Sequence, residues 1–247
     1  MNIVKVLIIK ELIIIKNSLL SYLVPILLFP LLLYLFFSIP LSVVFNDMKP
    51  IYMIWSSGGI WMVSSLILIY FLIHAYSLRN YKSEFMKSTP VLSYQYMFAS
   101  YLLAIFFGIL QLIVSIIITI SMNSDYMILL NILKVIVVAI PAIIVMCSIG
   151  FIVSIIVSNE FLVYMIHIST FLGLSFGFGS FIPLAKYPMW YVNIMKYFPV
   201  SNSIYNIQRI VSNEPILFSL FFISIFYTIL FSIINYFIIE KSILNNN

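Results

Sequence analysis

The sequence predicts an all-α polytopic membrane protein: six transmembrane helices, with a re-entrant helical hairpin on the outer side between the fifth and the sixth. Three observations predict this. Of the 247 residues, 64% are apolar and only 8% charged, whereas a soluble domain carries roughly a quarter charged residues. So few charges cannot cover a water-facing surface. Apolar runs of the length that a hydrocarbon core about 30 Å thick requires, about 20 residues, recur six times. They fall near 19–39, 52–76, 96–121, 128–157, 161–182 and 216–239. These runs are continuous rather than alternating, which excludes a transmembrane barrel. The longest stretch between them, 183–214, is below the usual size of an independent domain, so residues 1–247 read as one transmembrane domain.

Taken in order, the first sixteen residues carry Lys5, Lys10, Glu11 and Lys16. The charges interrupt the apolar run and no small-residue cleavage site follows, so this is not a signal peptide. The segment reads equally as a helix lying on the inner membrane surface or as an extension of the first span. Pro25 and Pro30 in the first span, and Pro141 in the fourth, each remove an intrahelical donor and should bend their helices. Ser56, Ser57, Gly58 and Gly59 open the second span as a close-packing stretch or an irregular entry, with no following lysine to make a phosphate loop.

The loop after the second span is the first informative segment. Leu78, Tyr81 and Phe85 share one helical face, Arg79, Lys82, Glu84 and Lys87 decorate the others, and Pro90 disfavours helix at Thr89. This predicts a short amphipathic helix over about 78–88, either resting on lipid headgroups or docking into a groove on a soluble partner. The fifth span holds Gly173, Ser175, Gly177 and Gly179, small residues four apart that let helix backbones approach closely, either within the chain or across a dimer axis. Residues 187–212 predict the outer hairpin. Trp190, Ile194, Tyr197 and Phe198 form one stripe, Pro199 interrupts, Ser201 is placed to cap a second helix, and Ile204, Ile207 and Val211 form a second stripe.

Charge sets orientation and excludes classes of function. Lys5, Lys10, Lys16, Arg79, Lys82, Lys87 and Lys241 fall on one side, Lys49, Lys134, Lys186, Lys196 and Arg209 on the other, which places both termini in the cytoplasm. A net charge of +5 is too thin for a nucleic-acid footprint. The single cysteine, Cys147, forms no internal disulfide, and two distant histidines make no metal motif. Gln111, His74 and His167 read as isolated polar residues, and Glu160 as the cap of a short inner turn. No acid sits at mid-membrane, which argues against proton or cation coupling. There is no phosphate loop, so any ATP must be hydrolysed by another chain.

These segments, in this order, resemble the membrane subunit of an ABC-2 type exporter. The resemblance covers nearly the whole chain: a basic N-terminal segment, six spans, a cytoplasmic loop with Glu84, Lys87, Ser88, Thr89 and Pro90, and an outer hairpin with Pro188, Trp190, Pro199, Ser201 and Arg209. The chain departs from the family in having Val200 and Ser201 where many members have Leu-Thr, and in lacking a glycine beside the acid of the loop. The resemblance implies no catalytic residue and no cofactor on this chain, with ATP and Mg bound by a partner. It implies two copies of a cytoplasmic ATPase docking on the loop around 78–88, a second permease subunit (a homodimer) contacting the first and fifth spans, and an outer gate including Trp190, Ile194, Tyr197, Phe198 and Arg209. It further implies a bacterial inner-membrane location and lipophilic or amphipathic cargo: a drug, an antibiotic or an amphipathic peptide. The competing readings are a permease for lipid-linked polysaccharide, a membrane-embedded enzyme acting on lipid headgroups, and a receptor or assembly factor. The enzyme would need a cluster of acids, histidines or serines at one membrane face, and Glu160 with His167 comes nearest.

Overall fold

Ser18 decides how the bundle begins. Its backbone leaves the helical region (φ −117°, ψ 32°), separating helix α1 (Ile3–Asn17) from α2 (Leu19–Leu33). The N-terminal segment is thus a helix of its own and not a continuation of the first span. Leu7, Glu11 and Ile15 recur every four residues on one face of α1 and are buried. The helix packs on α5 (Ser93–Asn123). The computed structural model describes residues 3–48, 50–81, 91–123 and 131–244.

Helix α2 runs through Pro25 and Pro30, widens to a π turn over Tyr34–Ser38 and continues as α3 (Ile39–Val44). Pro30 has no amide hydrogen to offer the Ile26 carbonyl one turn earlier. The carboxamide of Gln111 on α5 supplies the missing donor, Nε2 to the Ile26 oxygen at 3.1 Å. Gln111 is therefore not an isolated polar residue, as its sequence context suggests, but the compensation for a proline in another helix.

Helix α4 (Tyr52–Tyr81) is the axis of the molecule, packed on α5 and on α6 (Ile132–Ile156). Polar side chains join these helices: Trp61 Nε1 donates to Thr119 Oγ1 at 2.7 Å, Ser64 and Ser115 share a bond of 2.7 Å, and Ser65 donates to the Gly108 carbonyl at 2.9 Å. Such bonds hold helices together where water is excluded and the hydrophobic effect between helices vanishes. Helix α7 (Glu160–Leu172) follows a short turn in which Asn159 is the cap, its Oδ1 accepting from the Leu162 amide. Glu160 is the first helical residue instead, where its charge suits the helix dipole. A π turn, Gly173–Gly177, ends that helix. Two short helices, α8 (Met189–Met195) and α9 (Pro199–Val211), precede α10 (Phe218–Leu244).

Among the described residues six helical stretches are long and apolar enough to cross a membrane: Leu19–Val44, Tyr52–Asn80, Ser93–Met122, Ile132–Ile156, Glu160–Gly177 and Phe218–Lys241. The first outruns its expected end and the fifth stops short of 182, because the π turn releases the chain after Gly177. The second is 83% buried and the fifth 11%. Spans two, three and four thus form the interior, with one, five and six around them. Among the described residues there is no strand.

Candidate functional site

Three constellations hold the polar side chains that packing alone does not require. At the end of the bundle carrying α1, Arg79 of α4 is ion-paired to Glu11, and Lys10 Nζ donates to Asn80 Oδ1 at 2.9 Å. Glu11 is almost wholly buried, so the pair fastens α1 to the last turn of α4. Burial, and then the neighbouring Arg79 guanidinium, hold the Lys10 amine below its usual range. Leu78, Arg79 and Tyr81 prolong the second span as regular helix. Lys82, Glu84, Phe85 and Lys87 of the expected docking helix lie outside the described residues.

Roughly one and a half to two and a half turns before that latch, α4 meets α7 through an aromatic and imidazole cluster. His74 and His167 stand perpendicular with ring centroids 4.9 Å apart, and the Tyr70 hydroxyl shares a 2.9 Å hydrogen bond with His167 Nδ1. His74 Nδ1 is buried without a partner. Both rings line a cavity of about 430 Å³ that also reaches Glu160, Ser154 and Ser158. The two histidines are therefore neighbours, although 93 positions separate them and the sequence reads them as isolated. Among the described residues no three His, Cys, Asp or Glu side chains are grouped to hold a metal.

About 30 Å along α4, at roughly 1.5 Å per residue, the opposite end is closed by α8 and α9. Helix α9 is 13 residues long and 11 of them are buried. It is wedged among α4, α6 and α10. Both of its faces are enclosed, so it does not lie one-sidedly in a leaflet as the stripe of Ile204, Ile207 and Val211 suggests. Three of its polar side chains serve main-chain groups of neighbouring segments. Gln208 Nε2 donates to the Gly179 and Ser180 carbonyls at 2.9 and 3.2 Å, Ser201 Oγ to the Phe178 carbonyl at 3.1 Å, and Asn206 Oδ1 accepts from the Leu217 amide at 2.9 Å. Ser201 is not the cap of α9, which starts two residues earlier with Pro199 in its first turn and Phe198 as the cap residue. Proline is favoured there because its missing amide hydrogen would find no helical acceptor in any case.

The expected gate residues divide into two groups. Trp190, Ile194 and Tyr197 are exposed, Trp190 at 66%. Phe198 has left that stripe and stacks on Phe178 at 5.0 Å. Arg209 is tied locally, by an ion pair to Glu214 at 2.9 Å and by a bond from Nε to the Pro215 carbonyl at 2.8 Å. The small residues of the fifth span serve close approach and turning within this chain. The Gly177 carbonyl accepts from the Tyr191 hydroxyl at 2.7 Å, Ser175 is buried, and Gly179 lies beyond the helix at φ +84°, a conformation that glycine adopts without strain. Gly173 alone has room around it, a Cβ there coming no closer than 3.9 Å to Phe178. Gly58 and Gly59 act as the sequence implies: a Cβ on Gly58 would lie 3.2 Å from Ile207 of α9, and one on Gly59 would press on the Ser180 carbonyl.

Among its described residues the chain is all-helical, with six helices able to span a membrane, closed at one end by a buried polar helix and latched at the other by an ion pair buried on its Glu11 side. No protein-family model, no curated protein and no solved structure matches it.

Proposed function

We propose that the chain is the permease subunit of an ABC-2 type exporter of a bacterial cell membrane. It moves lipophilic or amphipathic cargo through a homodimeric bundle, driven by two copies of a cytoplasmic ATPase that bind ATP and Mg. The observation that carries this reading is the α8–α9 pair. Two helices too short to span sit between the fifth and sixth spans, the second built into the bundle and the first presenting Met189, Trp190 and Ile194 outward. A static bundle has no need of a separate polar element filling one end of its core, whereas an exit that opens and closes does. The uncovered face of the fifth span, with Phe161, Leu162, Tyr164 and Ile168 exposed, is suited to lipid or to a second copy. In this orientation α1 and Arg79 face the cytoplasm, consistent with the basic residues on that side.

The test is co-expression with a cytoplasmic ATPase, followed by reconstitution and measurement of ATP-dependent export of a labelled amphipathic peptide or lipophilic drug. Phe85→Asp should abolish both ATPase association and export while leaving the protein inserted. Association unaffected by that change would reject the docking assignment. Movement of a lipid-linked glycan in place of either cargo would keep the exporter and change its substrate. The cavity joining His74, His167 and Glu160 favours a second reading, an enzyme acting on lipid headgroups. That reading requires turnover without ATP, abolished by His74→Ala.

A further inference from the structure

A cavity of about 380 Å³ lies between the first three spans. It runs from Ser21 to Phe29 along α2 and from Ala75 back to Ser64 along α4. At about 1.5 Å per residue these stretches are about 12 and 16 Å long, against about 15 Å for one leaflet of a hydrocarbon core about 30 Å thick. The cavity is thus a slot one leaflet deep, on the side of the bundle that carries α1. Over its depth the walls are apolar, formed by Phe29, Ile67, Leu68 and Leu72. At the far end, Ser64 is bonded to Ser115 and to the Ile60 carbonyl, and the Gln111 carboxamide is sealed within protein, so neither offers a polar atom to a ligand. The mouth is different. Ser21 is exposed and Tyr22 half-buried, and neither hydroxyl has a hydrogen-bond partner among the described residues. Along its length the slot is flanked by exposed Pro25 and by Phe71, 42% exposed, both at hydrocarbon depth.

We infer that this slot holds one acyl chain of a membrane glycerolipid from the leaflet on the side of α1, with the ester oxygens accepting from the Tyr22 and Ser21 hydroxyls. The gradient along the slot matches that molecule: apolar over the depth of the hydrocarbon, with two free donors where the chain begins. An ester has lone pairs to offer and no proton, and a free hydroxyl supplies what it lacks. A small polar solute gains nothing from the walls and loses its water on entering. The shape argues against a second copy of the chain. Spread over about 14 Å of length, the volume leaves a cross-section of about 27 Å², too narrow for a helix about 10–12 Å across. The inference rests on the helices spanning a membrane, not on transport, and holds for a chain that moves nothing.

The test uses protein purified in mild detergent and methyl dodecanoate carrying a mid-chain diazirine. Light should attach the probe to peptides covering 21–29 and 64–75. At equal mole fraction in the micelle, unlabelled methyl dodecanoate should displace the probe about tenfold better than dodecane, which keeps the chain and loses the ester, the difference of one hydrogen bond. Tyr22→Phe combined with Ser21→Ala should leave labelling in place and erase that preference. Leu68→Trp fills the slot and should remove labelling from a protein that still elutes as a single species. Equal displacement by ester and alkane, an ester preference that survives the loss of both hydroxyls, or labelling that survives Leu68→Trp overturns the inference. Labelling that appears only when the protein is diluted to the monomer also overturns it, because a second copy then covers the mouth. Should Leu68→Trp not fold, the displacement ratio before and after the hydroxyl changes decides by itself.

Discussion

The latch between α1 and α4 predicts an asymmetry between its two charges. The Glu11 side chain is 1% exposed and its second oxygen has no partner, whereas the Arg79 side chain is 35% exposed. Arg79→Gln strands a carboxylate in the interior. Breaking a fully buried pair in this way costs about 3–5 kcal/mol. Water already reaches the arginine side of this pair and trims the loss to about 2–3 kcal/mol. Glu11→Gln instead frees a guanidinium that solvent can take up, and should cost under about 1 kcal/mol. The assay is built into the chain, because Cys147 is its single cysteine and is buried. A dye that fluoresces on reacting with thiols therefore reports global unfolding from one position. For a domain of this size, roughly 2–4 °C per kcal/mol puts Arg79→Gln about 4–12 °C below the parent in mild detergent. An unchanged midpoint for Arg79→Gln, or an equal fall for Glu11→Gln, would refute the account of Glu11 as the buried partner.

Three further outcomes follow from the packing. Gln111→Leu should destabilise the protein by about 1–3 kcal/mol by orphaning the Ile26 carbonyl; adding Pro30→Leu restores a backbone donor and should recover most of the loss in the same thermal assay. Gly59→Ala, whose Cβ would lie 2.8 Å from the Ser180 carbonyl carbon, should cost upwards of about 2 kcal/mol, whereas Gly173→Ala should melt within a degree or two of the parent. Trp190→Ala and Tyr197→Ala remove exposed side chains and should leave the stability within about 0.5 kcal/mol of the parent, while altering cargo selectivity and uncoupling ATP turnover from export if this stripe gates the exit; unaltered transport would assign the stripe to the membrane interface.

The six long helices were legible because each needs only a continuous apolar run, a property local to the segment. What escaped is pairwise. Gln111 looks solitary until Pro30 of another helix leaves a carbonyl beside it. His74 and His167 carry no shared spacing, since two different helices bring them together. Helix α9 shows an apolar stripe of the kind an interfacial helix presents. Its burial depends on Gly179, Ser180 and Leu217 offering main-chain partners to Gln208 and Asn206, and side-chain periodicity does not encode where main-chain groups of other segments will stand. The candidate site was legible to the same extent. Two short helices do fall within 187–212, but the proline-started helix hides its true cap, and Phe198 leaves the expected stripe to reach Phe178.

The enclosure of α9 bears on how the protein is made. A helix with Ser201, Asn202, Ser203, Asn206 and Gln208 gains little from partitioning into lipid by itself. Two of its walls, α4 and α6, are synthesised before it, but the third, α10, emerges only afterwards. Until residues 218–244 have entered the membrane, the wedge has an incomplete socket and its polar face has no complete set of partners. The wedge is therefore housed only once α10 is in place, and a nascent chain arrested before residue 218 carries an unhoused polar segment.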